Sequence, residues 1–124
     1  MERDILAVPV IESTTMAKPA PLETNHLTES EEVFEKAADI FRVMSSPMRL
    51  RIISALCNGE KNVGDLLAEI DTTQPNMSQH LNTLYRSGVL GKRREGVQIY
   101  YRIISDRAVT LCRSVCVQIA SESD

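Results

Sequence analysis

From residue 33 onward, apolar positions recur with the spacing of an amphipathic helix. Val33, Phe34, Ala37, Ala38, Phe41 and Met44 fall on one side of a helical repeat, a stripe of about four turns. Thr28 with Glu31 three residues later predicts a capping box ahead of it. Ser46-Pro47 opens a second helix, a cap residue followed by a proline whose missing N–H costs nothing in a first turn. This helix turns Leu50, Ile53 and Leu56 inward and stops at Asn58-Gly59. Asn62 begins a short third helix, with Asp65 at the reciprocal capping position and Leu66, Leu67 and Ile70 inward. Only Asp71-Thr72-Thr73 separates it from a fourth. The fourth helix runs from Gln74, with Pro75 in its first turn, through Met77, Leu81, Leu84 and Tyr85 to Gly88.

At Val89 the period shifts from helical to alternating. Leu90–Arg94 and Val97–Ile103 are short, β-compatible and joined at Glu95-Gly96, which predicts a hairpin. Tyr100, Tyr101 and Ile103 favour the second strand. Ser105 then caps a last helix whose apolar line is Val109, Cys112, Val115, Cys116 and Ile119. Residues 1–27 hold Pro9, Pro19 and Pro21 among Ser, Thr and Asn, without sustained periodicity. They read as a flexible N-terminal arm. The expected architecture is a mainly helical α+β domain over residues 28–124.

Composition narrows the classes. The 124 residues suffice for one domain with a real core. No apolar run reaches the roughly 18–20 residues of a membrane span. The start, Met-Glu-Arg-Asp before an apolar stretch broken by Pro9, lacks the positive charge and long apolar core of a secretory signal. Three cysteines, an odd number, do not make a disulfide framework and read as thiols in a reducing compartment. A cytoplasmic protein is expected. The net charge of −3 hides an asymmetry. Residues 1–30 hold five acids and two bases, whereas residues 72–102 hold Arg86, Lys92, Arg93, Arg94 and Arg102 against Glu95 alone. A locally basic segment on a mildly acidic chain is compatible with nucleic-acid binding, because phosphate contacts are made locally.

Helix, very short turn, helix and basic hairpin is the order of a winged helix-turn-helix. The second helix of such a unit lies in the major groove and reads base edges near its N-terminus. That end offers Gln74, Asn76, Ser78, Gln79 and His80. Gln and Asn can pair bidentately with adenine, and Ser and His can reach phosphates or bases. Lys92, Arg93 and Arg94 on the hairpin supply cations, and Gly96 permits a tight tip. The rival from another class is a winged-helix protein–protein interaction module without DNA binding, its basic hairpin a solvated surface. Salt-dependent binding to an inverted-repeat duplex separates the two. An enzyme is not expected: the chain has no CxxC pair, and no histidine is placed by sequence to activate a thiol.

Several strings in order resemble the ArsR/SmtB family of bacterial transcriptional repressors. They are Ser46-Pro47-Met48-Arg49-Leu50-Arg51-Ile52, Val63-Gly64-Asp65-Leu66, Gln74-Pro75-Asn76-Met77-Ser78-Gln79-His80-Leu81, Gly88-Val89-Leu90, Arg93-Arg94-Glu95-Gly96 and Tyr100-Tyr101. The resemblance covers roughly residues 32–120. It implies a homodimer built from the first and last helices, bound to an inverted-repeat DNA operator and released by an effector. Independently, a compact helix-turn-helix unit alone cannot cover two flanking apolar stripes, and a second copy would bury them.

Metal sites known in the family find no match here. The helix before the recognition helix has no Cys-x-Cys, and the last helix has Asp106 but no histidine. Cys57, Cys112 and Cys116 remain as candidate effector-sensing thiols. Cys112 and Cys116 share a helical face about 6 Å apart along the axis. All three could also be small apolar filler. A subgroup of the family senses reactive sulfur or oxidants with two thiols, at positions equivalent to Ser54 and Ala120 here, so this chain departs from it at both. Cys57 lies one turn later and Cys116 one turn earlier, shifts that compensate if the two helices pack antiparallel. A disulfide or polysulfide bridge between Cys57 and Cys116, or three thiolates around arsenite, are the open alternatives. No cofactor is otherwise required.

Overall fold

The structure, a computed structural model, describes residues 26–122. Its elements are α1 (His26–Met44), α2 (Pro47–Leu56), β1 (Lys61–Asn62), α3 (Val63–Glu69), α4 (Gln74–Arg86), β2 (Leu90–Glu95), β3 (Gln98–Ile103) and α5 (Asp106–Glu122). The arm assigned to residues 1–27 lies outside the described residues except for His26 and Leu27, which already belong to α1. Thr28 is therefore inside the helix and not its cap. No proline or glycine stands between Pro21 and Pro47 to hold the helix start at Thr28.

The chain divides into two units between Ala38 and Asp39. In the first, Lys36 pairs with Glu32 one turn away at 3.5 Å on exposed side chains, and Val33 and Phe34 are exposed. In the second, the local signals act as expected. Ser46 accepts the Arg49 N–H at 3.2 Å ahead of Pro47. Asn62 and Asp65 form a reciprocal capping box, at 2.8 and 3.1 Å. α4 ends in a left-handed cap: Gly88, at φ +86°, and Val89 return their N–H groups to the carbonyls of Tyr85 and Leu84.

Ile52, Ile53, Leu66, Met77, Leu81, Leu84 and Leu90 are fully buried, drawn from α2, α3, α4 and the start of β2. Met44, Leu56, Ile70, Val89, Ala108 and Cys112 complete the core. Leu50 and Leu67, expected inside, are only partly buried, and Tyr85 is exposed. On α5 only Ala108 and Cys112 are covered, while Val115, Cys116 and Ile119 face out. α5 has 17 residues and packs on α2, which has 10, so its second half outruns its partner.

β2 and β3 pair antiparallel with Glu95 opposite Gln98, so Gly96 and Val97 form a two-residue turn. Gly96 sits at φ +66°, where a side chain would be strained. Val97, read from sequence as a strand residue, is instead in this turn and almost fully exposed. β1 has no sequence signature at two residues. It adds to the outer edge of β3, Lys61 opposite Tyr101 and Asn62 opposite Tyr100, giving the order β1-β3-β2.

This burial sets a stability contrast. Leu81→Ala should cost about 2–5 kcal/mol, read from urea unfolding midpoints. Val97→Ala should stay within about 0.5 kcal/mol.

Candidate nucleic-acid interface

α4 is fixed from below by Met77, Leu81 and Leu84. Thr73 caps it, accepting the Asn76 N–H at 3.2 Å. Gln74, Ser78 and Gln79 are exposed along its first half. Asn76 is different: it is half-buried, and its amide donates to Thr72 Oγ1 at 2.8 Å. That bond braces the linker and leaves Asn76 with less to offer a base than its position suggested.

His80 is half-buried and receives a hydrogen bond on Nδ1 from the Arg49 guanidinium at 3.1 Å. Arginine only donates, so Nδ1 must be the bare nitrogen and Nε2 carries the proton. Burial, then the Arg49 charge, lowers the His80 pKa below its ordinary value. Arg49 itself was not foreseen as a site residue. Its Nε donates to Val43 O at 2.7 Å and its Nη2 reaches Arg42 O at 3.5 Å, so it caps the last turn of α1. One guanidinium thus joins the end of α1, the start of α2 and the recognition helix. The signal was an arginine in the first turn of α2, the end of a helix that disfavours a cation.

On the hairpin, Lys92 and Arg94 share one face by strand alternation and Arg93 takes the other. Lys92 Nζ stands 4.3 Å from the centroid of the Tyr85 ring, at the end of α4. Arg94 is exposed and makes no ion pair among the described residues. Arg93, expected to supply a cation to DNA, is held by carboxylates. Its Nε donates to Glu60 at 2.9 Å, its Nη1 to Glu95 at 2.8 Å, and it lies 4.8 Å over Tyr100. The bond to Arg93 keeps the Glu60 carboxyl below the usual carboxylate range. Glu60 precedes Arg93 by 33 residues, a separation no local pattern reveals.

The three thiols occupy two places. Cys57, half-buried, is the C-cap of α2 and lines a mixed groove, with Glu60, Arg102, Asp106 and Arg113 beside apolar Leu56, Ile103 and Val109. Cys112 and Cys116 meet on α5 with sulfurs 3.8 Å apart. Burial first, then the bond to Cys116, pushes the Cys112 thiol up to about 11. Among the described residues no three His, Cys, Asp or Glu side chains gather as metal ligands, so the three thiols do not converge around one ion within a single chain.

A polar-faced helix anchored on a short turn, beside a partly cationic hairpin, defines a winged helix-turn-helix transcriptional regulator that binds DNA. The chain belongs to the arsR family of bacterial regulatory proteins, which residues 46–92 match. It is 32% identical over 106 residues to the biofilm growth-associated repressor of Agrobacterium fabrum, covering 86% of this chain and 91% of that protein. Among solved structures it is similar to the repressor BigR of Xylella fastidiosa, at 33% identity and a TM-score of 0.66 over 71% of this chain and 90% of that one. It is also similar to reduced HlyU of Vibrio cholerae, at 29% identity and a TM-score of 0.66 over 70% and 92% of the two chains. These relatives and the family are transcriptional regulators, not enzymes. No described helix is long and apolar enough to cross a membrane.

Burial of His80, reinforced by the Arg49 charge, sets a pH dependence. With its folded pKa depressed, His80 contributes stability above its ordinary value near 6.5, and that stability is lost as pH falls through the folded pKa. The melting temperature should therefore drop from pH 7.5 to pH 5.5, and His80→Gln should flatten that drop. An unchanged slope in the variant would mean the contact does not couple to folding.

Proposed function

We propose that the protein is a homodimeric repressor. It grips an inverted-repeat operator through α4 and the β2–β3 wing, works in the cytoplasm, and is released when an effector acts on its cysteine thiols. The observation that carries the DNA reading is the exposure of Gln74, Ser78 and Gln79 on one side of a helix whose other side is wholly buried. His80 Nε2–H is a donor at the edge of this face, and Lys92 and Arg94 stand on the adjoining strand as phosphate partners. Arg93 is the weaker member of the basic triplet, because Glu60 and Glu95 already match its charge.

The dimer reading rests on apolar surface. Phe41 and, on the free half of α5, Val115, Val117 and Ile119 are each more than half exposed, at 59%, 52%, 64% and 59%. Two-fold pairing of such faces would bury them and set two recognition helices for two half-sites. For the thiol switch, the close approach of Cys112 and Cys116 supports two-thiol chemistry on α5 over a Cys57–Cys116 bridge or a three-thiolate arsenite site.

Gln79→Ala should weaken cognate binding by about 1–3 kcal/mol and relax specificity. Arg94→Ala should weaken binding to every sequence and lower the salt slope by about one unit. Arg93→Ala should do less, and Glu60→Gln, which leaves Arg93 with Glu95 as its one remaining carboxylate partner, should steepen the slope. Titration of labelled duplexes across salt reads all four, and wild-type behaviour in both Gln79→Ala and Arg94→Ala would defeat the docking.

Val115→Glu should dissociate the dimer in sedimentation at micromolar concentration, since an unpaired charge in a packed interface is costly. Treatment with polysulfide, peroxide or arsenite should lower operator affinity at least tenfold for the responsive effector, about 1.4 kcal/mol. A triple Cys→Ser variant that still responds would place the sensor elsewhere.

A further inference from the structure

Beside Arg49 lies a cavity of about 450 Å³, formed where the end of α1 meets the second half of α4. Ile40, Val43 and Val89 give it apolar walls, and Thr83 and Ser87 add two hydroxyls. The volume suits a small molecule. It is separate from the surface assigned to the second copy, for no residue of α5 lines it. By helical spacing, Asp39 and Val43 on its lining stand about 160° round α1 from Phe41.

The charge in this cavity is not balanced. Asp39 and Arg42 pair with each other at 2.7 Å, which leaves the half-buried Arg49 guanidinium. Its partners are neutral: the Val43 and Arg42 carbonyls and the His80 ring. Among the described residues it meets no carboxylate. A cation partly withdrawn from water without a counter-charge favours an anion that can reach it. Three of its five N–H groups are engaged, leaving one on each terminal nitrogen, the number that a carboxylate takes in a forked pair. The hydroxyls do not compete for that anion. Thr83 gives its proton to Gln79 O at 3.1 Å, and Ser87 gives its own to Leu84 O at 2.9 Å.

We propose that this cavity binds a small carboxylic acid with an apolar body, its carboxylate on Arg49 and its hydrocarbon against Ile40, Val43 and Val89. A bare anion meets Arg49 but leaves the apolar walls wet. A neutral molecule covers the walls but leaves the guanidinium unmatched. The acid satisfies both. Binding is reversible, since no bond is made or broken. The site requires neither the thiols nor DNA. Its influence on DNA rests on the docking reading above: Arg49 also holds His80 on α4, so an acid that draws on the guanidinium bears on the recognition helix.

Full-length protein, reduced and free of DNA, is titrated near neutral pH and followed by backbone amide NMR. The probes are 3-phenylpropionate and hexanoate, the primary amide of each, acetate and inorganic phosphate. The tighter of the two acids should shift the Val43, Thr83 and Val89 amides saturably. It should bind at least tenfold more tightly than its own amide, acetate or phosphate. Thr83→Leu, which fills the cavity, should weaken that acid at least fivefold, with a melting temperature showing that the variant is folded. Should the variant not fold, the comparison of ligands on the wild type decides alone. Equal affinity for acid and amide, or for acid and acetate, would overturn the proposal. So would the failure of both acids to bind, shifts confined to other residues, or undiminished binding by folded Thr83→Leu. Duplex titration of the acid-free protein tests the DNA reading separately, and failure there leaves the cavity result standing.

Discussion

The polar side of α4 can face outward only because its opposite side is locked. Met77, Leu81 and Leu84 have no exposed surface, and they meet equally buried Ile52, Ile53, Leu66 and Leu90. A buried line of this kind fixes rotation about the helix axis, since turning α4 by one residue would drive Ser78 or Asn82 into hydrocarbon. Everything that concerns DNA depends on that rotation, for side chains that read base edges must be aimed to within a fraction of an ångström. The wing inherits its position from the same core through Val89 and Leu90, which follow the left-handed cap directly.

Packing fixes rotation; Arg49 ties the helix to its neighbours. Its guanidinium meets carbonyls at the end of α1 and a ring nitrogen on α4. Movement at the end of α1 is thereby passed to the recognition helix by a charged bond. Phe41 and Met44, which flank the two residues whose carbonyls Arg49 meets, line a cavity with Cys112 and Cys116.

Much of this was legible in the sequence, for identifiable reasons. Caps, prolines and glycines act within a few residues, so Ser46, Asn62, Asp65, Gly88 and Gly96 announced their elements correctly. The buried line on α4 followed from its period. Relations between distant residues stayed hidden: the Arg93–Glu60 pair, the Arg49–His80 bond and the two-residue strand at Lys61 all depend on the assembled fold. The thiols follow the same division. Contact between α2 and α5 was anticipated, whereas the 3.8 Å approach of Cys112 and Cys116 and the groove beside Cys57 depend on the assembled fold. Partial burial of Leu50 and exposure of Val115 and Ile119 go with α5 running past the start of α2, which periodicity on either helix alone does not encode.

The carboxylates around Arg93 have a consequence for how such a protein finds its place on a chromosome. A cation that meets DNA normally arrives bare and leaves the duplex to shed its condensed ions, a gain available at any sequence. Arg93 arrives with Glu60 and Glu95 as permanent counterions, so it adds little to that indiscriminate attraction. Random sequence therefore holds the wing less tightly, and each wrong stop is shorter. In the proposed docking, Glu60 and Glu95 would thus trim the wing's share of the attraction that every DNA sequence exerts.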